Sequence, residues 1–284
     1  MRIGEVIDKI KKYHKDWQNI DPTHTRDQVL YGNTDQECTG IVTTCWASSE
    51  VIRKAYEAGA NLVICHEALF WNHGDKTDWL EETNNRTFRK KEELLKKTGL
   101  AVWRNHDHIH SGIPVNGGFA DGIFYGMAKK LGWEGYLIDS HSKFDSTMFL
   151  LPEIQVREIA ALFRERFHLN GVKLIGNPDM AVKKMLICMH VLGRDNDLIL
   201  RIDQEGIDLA VALEMVDFTA AEYVQDSVQL GEKKAIMTVG HFNTEEPGME
   251  YMLTYLDELF PDIPCRFIQS GDMYQYLTGG EKDE

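Results

Sequence analysis

GIVTTCWASSEVIRKAYEAGANLVICHE (40–67) contains a complete folding unit. Residues 40–46 form a short apolar run of strand length. Ser48 and Ser49 can each cap a helix over 48–60, and Gly59 suits its C-terminal end. Residues 61–67 then read as a second buried strand with polar residues at its tip. Two apolar strands joined by a helix predict parallel pairing, because only a crossover of that length returns the chain in the same direction. In such a sheet, ligands gather beyond the carboxyl ends of the strands.

The same grammar continues on both sides. Ile3, Val6, Ile7 and Ile10 mark one face of an N-terminal helix. Downstream, 87–99 reads as a helix, 101–106 as a strand and 117–132 as a helix. Glycine-rich and polar residues near 132–146 mark a domain boundary. The second half reads as a helix (153–168), a strand (183–192), a helical segment around 193–205, a strand (206–214) and a helix (218–231). A strand (234–241), a helix (245–261) and a last strand (265–270) complete it. The expectation is an α/β protein of two similar lobes, 1–135 and 136–284, with mixed, largely parallel sheets. The chain can cross between lobes near its C-terminus.

The two halves echo each other. AGANLVICHE (58–67) matches EGIDLAVALE (205–214), each with a glycine eight residues before a terminal glutamate. AVWRNHDHIHSG (101–112) matches AIMTVGHFNTEEPG (235–248). Each is an apolar strand ending in a histidine, with His110 or Glu245 four residues further on. This pattern fits a diverged internal duplication. Two such halves facing across a cleft would bring Cys65, His66, His110, His241 and Glu245 together.

Composition excludes several classes. The chain has 284 residues, 43% of them hydrophobic, enough for one large or two smaller cores. No apolar run reaches the length of a membrane span, and the charged N-terminus does not resemble a signal peptide. Five widely spaced cysteines without a CxxC pair argue for a reducing, cytoplasmic setting. A formal net charge of −14 repels phosphate backbones and argues against a nucleic-acid partner. No phosphate loop, dinucleotide fingerprint or nucleophile elbow is present.

RNHDHIHSG (104–112) sets three histidines at alternate positions. Histidine, cysteine and glutamate form the ligand set of zinc and related ions. Each residue taken singly has a structural reading. His66 can bond a carbonyl at a strand end, Cys65 can be a small core residue, and His241 with Glu245 can open a helix. His108 reads as solvent-facing, and His24, His73, His141, His168 and His190 show no partner pattern. Convergence of several metal-competent strand tips favours a metal site.

These residues resemble the Nif-three-like family, whose members are often labelled GTP cyclohydrolase I type-two-like proteins. The matching segments are Gly59-Ala60-Asn61-Leu62 leading to Cys65-His66-Glu67, then His106-Asp107-His108-Ile109-His110, Val115-Asn116-Gly117-Gly118 and Ala212-Leu213-Glu214. The last and most specific is Gly240-His241-Phe242-Asn243-Thr244-Glu245. The resemblance covers about residues 40–270. It implies a two-domain α/β fold, a dinuclear metal centre in the interdomain cleft and a toroidal homohexamer. Carried over by position, it implies metal ligation by Cys65, His66, His110, His241 and Glu245, with His106 close by. Cys65 and His110 depart from the family's histidine and aspartate, and Trp46 stands where relatives often have aspartate. Fewer carboxylates favour zinc or iron, as one or two divalent ions.

The function expected is hydrolysis of a small nucleotide-like or heterocyclic substrate by metal-activated water, with Glu67 or His106 moving protons. Two alternatives stand beside it. One is a non-catalytic metal-binding scaffold, metal-delivery or interaction protein. The other is a barrel-type metal hydrolase, because DHIHSG matches an H-x-H-S signature, although about a hundred residues precede it here.

Overall fold

In the computed structural model, the strand–helix–strand unit occupies the middle of a five-stranded sheet. The strand Ile41–Thr44 and the strand Leu62–Cys65 pair in parallel, and Leu62–Cys65 pairs in parallel with Ala101–Arg104. Antiparallel Val29–Tyr31 closes one edge and parallel Cys265–Phe267 the other. The three central strands are fully buried, as the unbroken apolar runs require of a sheet covered on both faces. The joining helix is Ser49–Glu57, capped by the Ser48 hydroxyl accepting from the Val51 N–H at 3.1 Å. Gly59 follows at φ +77° and turns the chain into the next strand.

The structure describes residues 1–14, 19–139 and 147–277. His141 and the rest of the stretch 140–146 in the expected boundary region lie outside the described residues. Two units are distinguished. The first is Met1–Lys129 with Glu245–Ser270, and the second is Lys130–Thr244 with Gly271–Glu284. The chain therefore returns to the first unit near its C-terminus, and the strand Cys265–Phe267 belongs to the first sheet.

The second unit has a six-stranded mixed sheet. Its parallel centre is Ala181–Ile187, Leu209–Ala212 and Ala235–Thr238. Antiparallel Lys173–Ile175 lies beside the last of these, and antiparallel Thr147–Gln155 and Leu137–Asp139 lie on the other side. Each unit thus has three parallel strands with an antiparallel strand against the third. Gly206, at φ +63° after the helix Asn196–Gln204, repeats the turn made by Gly59. The duplicated sequence pattern corresponds to duplicated local structure.

Several elements depart from the sequence expectation. Residues 117–120 are part of a hairpin of Ile113–Val115 with Gly118–Ala120, and the helix starts only at Gly122. Residues 153–155 extend a long strand before the helix Val156–Phe167. The C-terminal helix begins at His241, four residues earlier than expected, with Pro247 inside it. Among the described residues, no helix is long and apolar enough to cross a membrane.

Candidate metal centre

The first unit gathers its chemistry at the carboxyl ends of its strands. His66 and Glu67 follow the strand Leu62–Cys65, and His106 follows Ala101–Arg104. His110 lies on the short helix Asp107–Ser111, and Glu245 lies on the helix His241–Leu259. His66 and His106 stack with ring centroids 4.6 Å apart, and His110 lies 5.0 and 5.1 Å from them. Ligating atoms of His66, His106 and His110 lie within 4.8 Å of one another, as do those of His66, Glu67 and Glu245. Both sets can hold a metal ion.

Each imidazole has its Nδ1 committed to an oxygen. His66 Nδ1 meets the Asn105 carbonyl at 3.2 Å, His106 Nδ1 meets Asp107 at 2.9 Å, and His110 Nδ1 meets Asp121 at 2.7 Å. A carbonyl or carboxylate only accepts, so a neutral ring bears its proton on Nδ1 and keeps a lone pair on Nε2. This is the arrangement outer partners impose on metal-binding histidines. His66 Nε2 is buried without a hydrogen-bond partner and stands 3.7 Å from Glu245 Oε2. Two acceptors facing each other out of water are unfavourable unless a cation lies with them. The donor set thus fits a divalent ion.

Electrostatics agree with neutral rings. Burial, aided by His66 and His110, lowers the His106 pKa to about 4. For His110, burial lowers the pKa, but the charge and hydrogen bond of Asp121 outweigh it and the net shift is upward. Asp107 is lowered: burial raises it, but bonds from His106, the Arg26 N–H and Thr25 prevail. Arg104, itself fully buried, holds Glu67 from below. Its Nη2 lies 3.2 Å from Glu67 Oε2, its Nε donates to the His66 carbonyl at 2.9 Å, and its Nη1 donates to Asp75 at 2.8 Å. Glu67 Oε1 faces His106 Nε2 at 3.9 Å.

Cys65 is not brought to this group. Its Sγ donates to the Trp103 carbonyl at 3.8 Å within a core that includes Val63, Ile52 and Leu95. Side chains alternate along a strand, so Val63 and Cys65 share the core face. Burial raises the Cys65 thiol to about 12. The thiol facing the group is that of Cys45, 3.8 Å from Glu245 Oε2. Burial and then Glu245 push its pKa well above the usual thiol value. His108 turns to the buried Asp27 rather than to solvent or the group.

Neither Asp27 nor Arg104 was evident from sequence. Asp27 accepts from the N–H groups of His106, Asp107 and His108 at 2.5–2.8 Å, across about eighty residues of chain. It thereby fixes the start of the helix carrying His110. No local motif announces such a cap. Asp121 carries one signal, because its Oδ1 accepts from the Ile123 and Phe124 N–H groups as an aspartate before a helix does.

His241 is placed with residues of the second unit. His190, Glu214 and His241 bring ligating atoms within 4.8 Å of one another. Glu214 Oε1 takes His190 Nδ1 at 2.6 Å, and Oε2 takes His241 Nδ1 at 3.0 Å. Burial raises the Glu214 pKa, but these two bonds outweigh it and hold the carboxyl at about 2.

The chain is similar to known proteins throughout its length. A Clostridium perfringens protein described as a GTP cyclohydrolase 1 type 2 homolog is 24% identical over 254 residues, covering 87% of this chain and 88% of that protein. The structure of protein ybgI, of unknown function, superposes with a TM-score of 0.71 at 17% identity, covering 96% of this chain and all of that one. A Bacillus cereus protein related to NIF3 superposes at 0.68 with 12% identity, covering 98% and 99%. These superpositions show the shared fold. The model of the Duf34/NIF3 (NGG1p interacting factor 3) family matches residues 1–272, and the chain belongs to that family.

Proposed function

We propose that His66, Glu67, His106, His110 and Glu245 hold one or two divalent transition ions, zinc or iron, and that the protein is a metal-dependent hydrolase. Its substrate would be a small nucleotide-like or heterocyclic molecule. One observation carries the reading: the buried His66 Nε2, without a hydrogen-bond partner, faces Glu245 Oε2 at 3.7 Å. The family resemblance and the relative described as a GTP cyclohydrolase 1 type 2 homolog support the same class of chemistry.

When bound, such an ion supplies Lewis acidity and lowers the pKa of water toward neutrality. The protein's own groups do the rest. The Asn105 carbonyl, Asp107 and Asp121 keep three imidazoles turned with Nε2 inward. Arg104 fixes one Glu67 oxygen and leaves the other toward His106, so this pair can accept and return a proton. The reading also takes the protein to be a cytoplasmic homohexamer. Light scattering on the purified protein would show six chain masses, and a monomer would remove that element.

Burial gives a second reading its footing. His66, His110 and Glu245 are each exposed by 2% or less. A closed site suits storage or delivery of metal better than turnover. Elemental analysis of wild type and His66→Ala/Glu245→Gln, with hydrolysis assays on nucleotide and heterocyclic substrates, decides between them. Hydrolysis expects bound metal, metal-dependent turnover and loss of both in the variant. Metal without turnover supports the delivery reading. Equal metal content in both proteins removes the site.

A further inference from the structure

We propose that His190, Glu214 and His241 form a second divalent-metal site, built from the second unit alone and sharing no ligand with the buried group of the first.

The backbone brings the three residues together. His190 and Glu214 are register partners in a short parallel ladder of His190–Val191 with Glu214–Met215. His241 opens a helix directly after Gly240. Gly240 has φ +100°, and a Cβ there would stand 2.7 Å from the Asn243 amide. Only glycine suits that turn. The two rings lie 5.2 Å apart with a 39° tilt, one at each oxygen of the Glu214 carboxylate.

Two histidines and one glutamate form a recurrent zinc ligand set that leaves further positions open. The spacing suits it, because all three ligating atoms lie within 4.8 Å of one another. Access differs from the first unit. The side chains are 45%, 33% and 27% exposed, so a hydrated ion reaches them directly. A pocket of about 70 Å³ adjoins them, lined in part by Glu214, His241, Phe242, Asp272 and Tyr274. That is room for about two waters. Hydrogen bonding alone gives this trio little purpose, since partly exposed pairs of this kind contribute about 0–1 kcal/mol.

Proton balance is simple. Each neutral ring now places its Nδ1 proton on Glu214. On binding, the ion takes that side, and each ring keeps one proton by moving it to Nε2, so no net proton is released. The ligand class is a borderline divalent ion such as zinc, with water or a small exogenous donor in the pocket completing its coordination.

Titration of chelator-stripped protein with Zn(II) by calorimetry tests this, using wild type, His190→Ala, Glu214→Gln and His66→Ala, with circular dichroism as the folding control. His190 is a surface residue, so His190→Ala is expected to fold. Wild type should show two classes of ion. His190→Ala and Glu214→Gln should weaken one class at least tenfold and leave the other unchanged. His66→Ala should remove the other class and keep this one. A His190→Ala isotherm superimposing on wild type overturns the proposal, as does a single wild-type class abolished by His66→Ala. If His66→Ala alone changes nothing, the first-unit reading fails and this one stands.

Discussion

Single protons decide the chemistry of the first unit. Three imidazoles each place Nδ1 on an oxygen, and that choice leaves Nε2 for a cation. Asp121 is the most telling of these partners, because one oxygen takes His110 while the other accepts from the Ile123 and Phe124 N–H groups. Asp121→Asn cannot serve both faces: whichever way the amide turns, it loses a cap or opposes a ring proton. The variant is expected to bind Zn(II) about 10- to 100-fold more weakly, measured by competition with a chromophoric chelator. Unchanged affinity would remove Asp121 from the site. Cys65 makes the opposite case. Its thiol lies in the core, so Cys65→Ala should retain the full ion content and lose about 1 kcal/mol of stability. Loss of metal in that variant would return Cys65 to the ligand set.

Elements differed in how far they could be read. The strands Ile41–Thr44 and Leu62–Cys65 and their joining helix were legible because each signal is local: unbroken apolar runs, a serine cap and a terminal glycine. The helix Asp107–Ser111 was not, since its five residues carry no periodicity and its start is capped by the distant Asp27. The early start of the helix His241–Leu259 was hidden by Pro247, which reads as a first-turn residue but stands inside. Its packing explains the next residue. A Cβ on Gly248 would lie 2.4 Å from Ile123 Cα, and one on Gly126 would lie 2.6 Å from Gly248 Cα. The helix that carries Glu245 thus meets the helix Gly122–Leu131 at backbone contact. Gly248→Ala must push them apart, at a cost of about 1–3 kcal/mol, and should weaken metal binding through Glu245. A melting temperature and ion content equal to wild type would show that the contact is not needed.

Across the whole chain, the repeated sequence pattern foretold two units of like construction, because helix, glycine and strand recur at matching offsets. The membership of the site was less legible. Which histidine faces which carboxylate depends on side-chain alternation and remote partners, so His190 showed no pattern until the ladder set it beside Glu214. A global property follows from one residue buried far from any candidate ligand in sequence. His14 is 3% exposed, its Nδ1 has no partner, and its Nε2 meets the Tyr255 hydroxyl at 3.0 Å. Burial lowers its pKa from 6.5 to about 3, against the pull of Asp27 and with a contribution from His108. Between those two values the unfolded chain binds a proton that the folded chain refuses. The stabilisation is therefore complete above about pH 6.5 and is lost progressively as pH falls toward 3. At pH 4.5 the loss is about 2–3 kcal/mol. Depressed carboxylates such as Glu214 act in the same direction at lower pH, so the test is a difference. Urea unfolding of metal-free wild type and His14→Phe at pH 7.5 and 4.5 should show a pH effect smaller by about 2 kcal/mol in the variant. Its pH-independent cost from the lost Tyr255 bond cancels in that comparison. Equal pH effects in the two proteins would mean that His14 is protonated in the fold and that its burial is compensated by a neighbouring charge.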